Sequence, residues 1–213
     1  MTAPTRPRCA RCQRPASHCL CRHIHPVSHR TTILILQHPD EQHHPLNTAR
    51  LAALALERAD IRIGHSFEDL PQRLARARAP CLLFPGSQAM TLPASSTGQM
   101  CPATWPDLLV VPDGTWRQAG RLVRSHTLLE NLPRLVLPEG IPSRYRLRRA
   151  IRPGAVSTLE AIVRTLEIFE PDVDFQPVLH LFDVMIEQQI ESMGEAAYAR
   201  HLALQAAARG ASH

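Results

Sequence analysis

Residues 110–119 read VVPDGTWRQA. An apolar run stops at a proline and an aspartate, a glycine turns the chain, and a threonine and a tryptophan open a stretch of helical composition. In an open sheet whose strands alternate with helices, ligands gather at such strand-to-helix junctions. Whether 110–119 is one of these junctions decides the fold and the site together.

The chain on either side has the required alternation. TTILILQ (31–37) has the pattern of a buried strand, ended by His38-Pro39. Asn47-Thr48 can cap a helix running to about residue 57, with Leu51, Leu54 and Leu56 on its apolar side. IRIG (61–64), CLLFPG (81–86), DLLVV (107–111) and RLVL (134–137) are four further strands. Residues 87–106, rich in Ser, Thr, Pro and Gly, form a loop, and 115–131 a helix. Ser157-x-x-Glu160 is a capping box for the helix STLEAIVRTLEIF, and 177–208 are mostly helical. Strands alternating with helices predict an α/β domain with a mostly parallel sheet.

Composition narrows the function. A chain of 213 residues with 44% apolar content can bury the core of one domain plus an appendage. It holds no run of the ~20 apolar residues that span a membrane, and its first residues lack the apolar core of a secretion signal. The cytoplasm is the expected location and no membrane partner is expected. The net charge of +5 conceals a division: residues 1–152 hold 21 Arg against 10 acids, and residues 153–213 hold 3 Arg against 9. A basic body suggests a polyanionic partner. All 24 cationic residues are arginine. The absence of lysine fits a biased genome composition as well, but bias does not explain the division. It excludes Schiff-base chemistry and a lysine-dependent phosphate loop.

Cys9-x2-Cys12-x6-Cys19-x-Cys21 puts four of the six cysteines within 13 residues of a segment too poor in aliphatics to form a core. Four thiolates complete a tetrahedral Zn²⁺ shell and can fold such a segment. Disulfides are the competing reading, disfavoured in a cytoplasmic chain. His18, His23 or His25 could replace one thiolate. With four protein ligands the metal would be structural, not catalytic. Arg6, Arg8, Arg11, Arg14 and Arg22 flank this knuckle, as RNA contact would require. Cys81 and Cys101 are most simply unpaired thiols.

Four motifs fall where strands end: QHPDEQHHPLNTAR (37–50), LLFPG (82–86), VPDGTW (111–116), and YRLRR (145–149) with STLEA (157–161). Taken alone, Asp113 is an ordinary turn or N-cap aspartate, and Thr115 can cap the helix itself. An apolar strand followed by Asp-x-x-x-Thr resembles the nucleophile loop of haloacid-dehalogenase-type phosphatases. That loop needs a second aspartate where Thr115 stands, and a lysine this chain lacks. His38, Glu41 and His44 suggest a metal site, but a Pro-bounded loop preorganises one poorly. Orientation of a ligand suits them better.

DGTW with RQA, LLFPG, the HP-x-E-x2-HP-x-NT-x-R segment, Y-x-LR, STLEA and the CxxC…CxC prefix together resemble the DTW-domain family, from about Cys9 to Phe169. The resemblance implies a tRNA-uridine aminocarboxypropyltransferase. Such an enzyme transfers the 3-amino-3-carboxypropyl group of S-adenosylmethionine to N3 of a uridine and releases methylthioadenosine. The fold it implies is SPOUT-like, an α/β domain with a C-terminal trefoil knot. The implied organisation is a zinc knuckle (1–30), a catalytic domain (31–175) and a helical C-terminal tail (176–213). Uridine N3 must lose its proton, and Asp113 is the expected general base. Leu83, Phe84, Pro85, Gly86, Gly114, Thr115, Trp116, Ser157, Thr158 and Leu159 are expected around the donor, with Trp116 either walling the site or anchoring its helix. The helix N-terminus at Ser157 and Thr158 would suit the donor's carboxylate. His38, Glu41, His44, Asn47, Arg50, Arg144, Tyr145, Arg146, Arg148 and Arg149 are expected to orient substrate or to contact RNA. A SPOUT-type methyltransferase and a non-catalytic zinc-knuckle RNA-binding protein are the competing readings. Monomer and homodimer stay equally open.

Overall fold

Strand and helix alternate along the chain in the computed structural model, which describes residues 7–94, 105–140, 142–147 and 156–210, the side chains of 205–210 excepted. In chain order the elements are β1 (Thr32–Gln37), α1 (Thr48–Ala55), β2 (Ala59–Ile63), α2 (Leu70–Arg76), β3 (Pro80–Leu83), β4 (Met90–Thr91) and β5 (Leu108–Asp113). There follow α3 (Trp116–Arg124), α4 (Thr127–Glu130), β6 (Arg134–Val136), α5 (Thr158–Phe169), α6 (Gln176–Met193) and α7 (Glu195–Gly210). The six strands form one parallel sheet in the order β2-β1-β5-β3-β6-β4.

The central strands are apolar at nearly every position because both faces of the sheet are covered. Successive residues point to opposite sides. Ile33, Ile35, Cys81, Leu109 and Val111 join a cluster with α1, α5 and α6, while Leu34, Leu36, Leu82, Leu108 and Val110 join another with α2, α3 and α4. The result is three layers, helices on a sheet on helices. The first cluster also takes in Leu20, Ile24 and Val27 from ahead of β1, and Val178, Leu181, Phe182 and Met185 of α6. One core thus binds the Cys-rich segment, the sheet and the first C-terminal helix.

Local chemistry sets the helix ends. The side chains of Asn47 and Ser157 accept the amides of Arg50 and Glu160, and Ser157 with Glu160 completes a capping box. The helix expected over 115–131 divides into α3 and α4. Ser125 Oγ donates to the Leu122 carbonyl, and the His126 ring also bonds it, so the continuing ladder loses an acceptor to side chains. Two short elements escape the sequence pattern: α2, a seven-residue helix, and β4, a two-residue exposed edge strand inside the expected 87–106 loop. Among the described residues no helix is long and apolar enough to cross a membrane.

At the end of α5 lies Glu170, 1% exposed. Its carboxylate accepts the amides of Arg30 at 2.7 Å and Thr31 at 2.8 Å, tying the entry of β1 to α5. Glu170→Ala strands both donors. It is expected to lower stability by about 2–4 kcal/mol in chemical denaturation, and a loss under about 0.5 kcal/mol would contradict this role.

Candidate active site

The parallel register of β1 and β5 ends by placing Gln37 opposite Asp113. Both are buried. Gln37 Nε2 donates to Asp113 Oδ2 at 2.8 Å, and Thr158 Oγ1, at the first residue of α5, donates to Asp113 Oδ1 at 2.5 Å. Gln37 is also joined to Asn47 by an amide pair, at 3.1 and 3.3 Å, and Asn47 holds the carbonyls of Glu41 and Gln42. One chain of hydrogen bonds therefore runs from the loop after β1, through the end of β5, to the start of α5. Gln37 is a site residue that sequence reasoning did not single out. Its signal was a polar residue at the last position of an otherwise apolar strand.

Pro112 opens the space beside this chain. Asp107 and Asp113 direct their carbonyls toward β1, so alternate residues of β5 face β1 and the intervening ones face β3. The amide missing at Pro112 is therefore one that would have bonded β3. Pairing with β3 has already ended at Leu82↔Val110. Where the two strands part lies a cavity of about 530 Å³, lined by Leu83–Gly86, Pro112, Gly114, Trp116, residues 135–139 of the segment through β6, and Val156–Thr158 with Ala161. Its size is that of a small-molecule site.

Of the residues expected around a donor, Leu83, Phe84, Pro85, Gly86, Gly114, Trp116, Ser157 and Thr158 line this cavity. Asp113 reaches it through the Thr158 hydroxyl. Thr115 is exposed and caps α3 with Gln118 in a capping box; Leu159 is fully buried in the core beneath α5. Trp116 is 42% exposed and tilts against Phe84 at 6.0 Å where both line the cavity. Gly114 has φ +153°, and a Cβ there would stand 3.1 Å from Gln118 Cβ and 3.3 Å from His38 Cβ. The room left by the absent side chain of Gly86 is taken by Arg134, whose guanidinium bonds the Pro85 carbonyl at 3.0 Å.

The residues expected to meet substrate divide. His38 is buried, packs edge-on to His65 at 4.7 Å, and caps the turn Pro39–Glu41 by accepting the Asp40 amide. Glu41 is half-buried in that turn and His44 is exposed, its Nδ1 accepting the Leu46 amide. Arg50 has a buried Nε with no hydrogen-bond partner among the described residues. Arg144 faces Asp183 of α6 at 2.7 Å, Arg146 faces Glu187, and Tyr145 packs edge-on to Phe182. Glu160 fixes this segment by accepting the Arg144 amide and the Ser143 hydroxyl. Arg148 and Arg149 lie outside the described residues.

Apart from the cavity, Cys9, Cys12, Cys19 and Cys21 bring their sulfurs within 4.8 Å of one another. The Cys9–Cys21 and Cys12–Cys19 separations are 3.5 and 3.9 Å. A disulfide needs about 2.05 Å, whereas sulfurs of a tetrahedral zinc shell stand about 3.8 Å apart. Amides of Cys12 and Arg11, with the Cys21 thiol, hold the Cys9 thiol down to about 6, while burial pushes Cys21 up to about 12. His18 is engaged by Ser17 and Ser192, and His23 by Arg22. Among the described residues only the four thiols converge. Cys81 donates to the Pro133 carbonyl, and burial raises its thiol to about 11, as expected of an inert packing residue.

Comparison with known proteins gives this geometry a context. The DTW domain model matches residues 6–190. A protein of Macaca fascicularis named tRNA-uridine aminocarboxypropyltransferase 2 is 31% identical over 185 residues, 83% of this chain and 61% of that protein. One of the same name from Drosophila melanogaster is 30% identical over 184 residues, 82% of this chain and 71% of that protein. From Arabidopsis thaliana, tRNA-uridine aminocarboxypropyltransferase A is 28% identical over 197 residues, 77% of this chain and 73% of that protein. The chain spans about three fifths of the length of the first of these relatives. No solved structure matches it significantly. With the family model covering most of its length, and with DGTW at the junction of β5 and α3, the chain belongs to the DTW-domain family.

Proposed function

We propose that this chain transfers the 3-amino-3-carboxypropyl group of S-adenosylmethionine to N3 of a tRNA uridine, releasing methylthioadenosine. The observation that carries the reading is Asp113, a buried carboxylate joined by the Thr158 hydroxyl to a cavity of about 530 Å³. The names of the relatives point the same way. The donor supplies an electrophilic carbon on a sulfonium. As the N3–C bond forms, the C–S bond breaks and its electron pair goes to sulfur, so no further oxidant or reductant is needed. The residues need only align the partners and remove one proton. Thr158 lines the cavity and donates to Asp113, so it can accept the N3 proton while passing its own to the carboxylate. Gln37 holds the other carboxylate oxygen and fixes the direction of transfer. Leu83–Gly86, Gly114 and Trp116 would wall the donor, and the α5 N-terminus would receive its carboxylate.

The SPOUT-like reading, with a C-terminal trefoil knot, is supported by the all-parallel sheet and by residues 135–139 and 156–158, which line the same cavity. In this reading residues 1–30 are the zinc knuckle, 31–175 the catalytic domain and 176–213 the tail. The four sulfurs fit a structural zinc, which would brace a segment with little core of its own in the reducing cytoplasm.

Asp113→Asn is expected to cut transfer by about 100-fold or more while donor binding by calorimetry changes only a few-fold; a near-wild-type rate removes Asp113 from proton transfer. The product separates this reading from its competitors, since a methyltransferase would release S-adenosylhomocysteine and a binding module neither product. Elemental analysis should find about one zinc per chain. Cys12→Ser should lose it together with several degrees of melting temperature, and an undiminished metal content in that variant would refute the four-thiolate site.

A further inference from the structure

Arg144 and Arg146, the natural candidates for contact with an RNA backbone, face the carboxylates of Asp183 and Glu187. Three arginines on α3 face none. Arg117, Arg121 and Arg124 are exposed, and none of their guanidinium groups makes a hydrogen bond or ion pair among the described residues. Recurring at i, i+4 and i+7, they occupy an arc of about 60° on the helix. Ala119, Leu122 and Val123 on the other side are buried and hold α3 against the sheet, so the stripe is presented to solvent by a fixed support. It begins beside the cavity, since Trp116, the first residue of α3, lines the mouth with 42% of its surface exposed. From Arg117 to Arg124 it runs about 10 Å along the helix.

We propose that the α3 face formed by Arg117, Arg121 and Arg124, continuous with Trp116 at the cavity mouth, is the track on which the phosphate backbone of the RNA substrate lies. This rests on the reading of the chain as an enzyme that modifies RNA. An arginine without a protein partner gives up only mobile counterions when it meets a phosphate, whereas Arg144 and Arg146 must first surrender a carboxylate. The guanidinium fork suits phosphate oxygens, and the Trp116 ring offers a face to an unstacked base entering the cavity.

The test is binding of an in vitro transcribed tRNA over a salt series. It compares wild type with Arg117→Gln/Arg121→Gln/Arg124→Gln and with Arg144→Gln/Arg146→Gln. The triple variant should keep the wild-type melting temperature, lose about tenfold or more in affinity, and show a salt slope shallower by about 2–3. The double variant should lose less. Wild-type affinity and slope in the triple variant, or a larger loss in the double, overturns the track. So does retention of tRNA binding by the triple variant when it has lost only its binding to anionic phospholipid vesicles. Methylthioadenosine release by the wild type separates the two failures. Release with intact binding by the triple variant removes the track alone. Loss of binding by the triple variant without release by the wild type keeps the track and removes the transferase reading.

Discussion

A carboxylate withdrawn from water has to be compensated, and Asp113 has no cation beside it among the described residues. Its oxygens accept from Gln37 and Thr158, and it stands three residues before the start of α3 and in contact with the first residue of α5. The N-terminus of α5, whose first side chain Asp113 contacts, supplies partial positive charge where an arginine would have supplied a full one. Much of the sheet's carboxyl edge follows from that arrangement. β1 must neighbour β5 in the observed register for Gln37 to meet Asp113. Ser157 must cap α5 for Thr158 to begin it. Asn47 must close the loop after β1, because it holds Gln37 in turn.

The strands and caps were legible because each is local. ILIL (33–36) and LLVV (108–111) are apolar at successive positions, a pattern that a sheet covered on both faces requires, and Ser157-x-x-Glu160 carries its own hydrogen-bond partners. The break between α3 and α4 was illegible because side chains of Ser125 and His126 take a backbone carbonyl, which composition does not announce. β5 extends two residues beyond its apolar run because Pro112 lacks an amide only on the side where β3 has turned away. At the site, DGTW, LLFPG and STLEA were legible as strand-end motifs, and they line one cavity. Gln37 was not, since nothing in the sequence says which residue will lie across the register from Asp113.

The division of charge along the chain was visible, but its meaning depended on distant pairs. Arg144 and Asp183 are 39 residues apart, and α6 brings its carboxylates to the basic segment. Part of the basic body and part of the acidic tail therefore neutralise each other within the molecule. What remains unpaired on α3 is a smaller surface, and it adjoins the cavity.

The Cys-rich segment is joined to that same edge. Arg14, 6% exposed, donates to the His18 carbonyl, the Pro45 carbonyl and Gln188 of α6. Burial lowers its pKa, and the charges of Cys12, Tyr145 and Cys19 oppose that shift. A guanidinium so buried without a carboxylate is held by these three oxygen acceptors, one each from the Cys-rich segment, the loop after β1 and α6. Arg14 thereby holds Pro45 in the loop whose Asn47 orients Gln37. The knuckle and the carboxylate at the end of β5 are therefore two ends of one connected polar network rather than two independent sites.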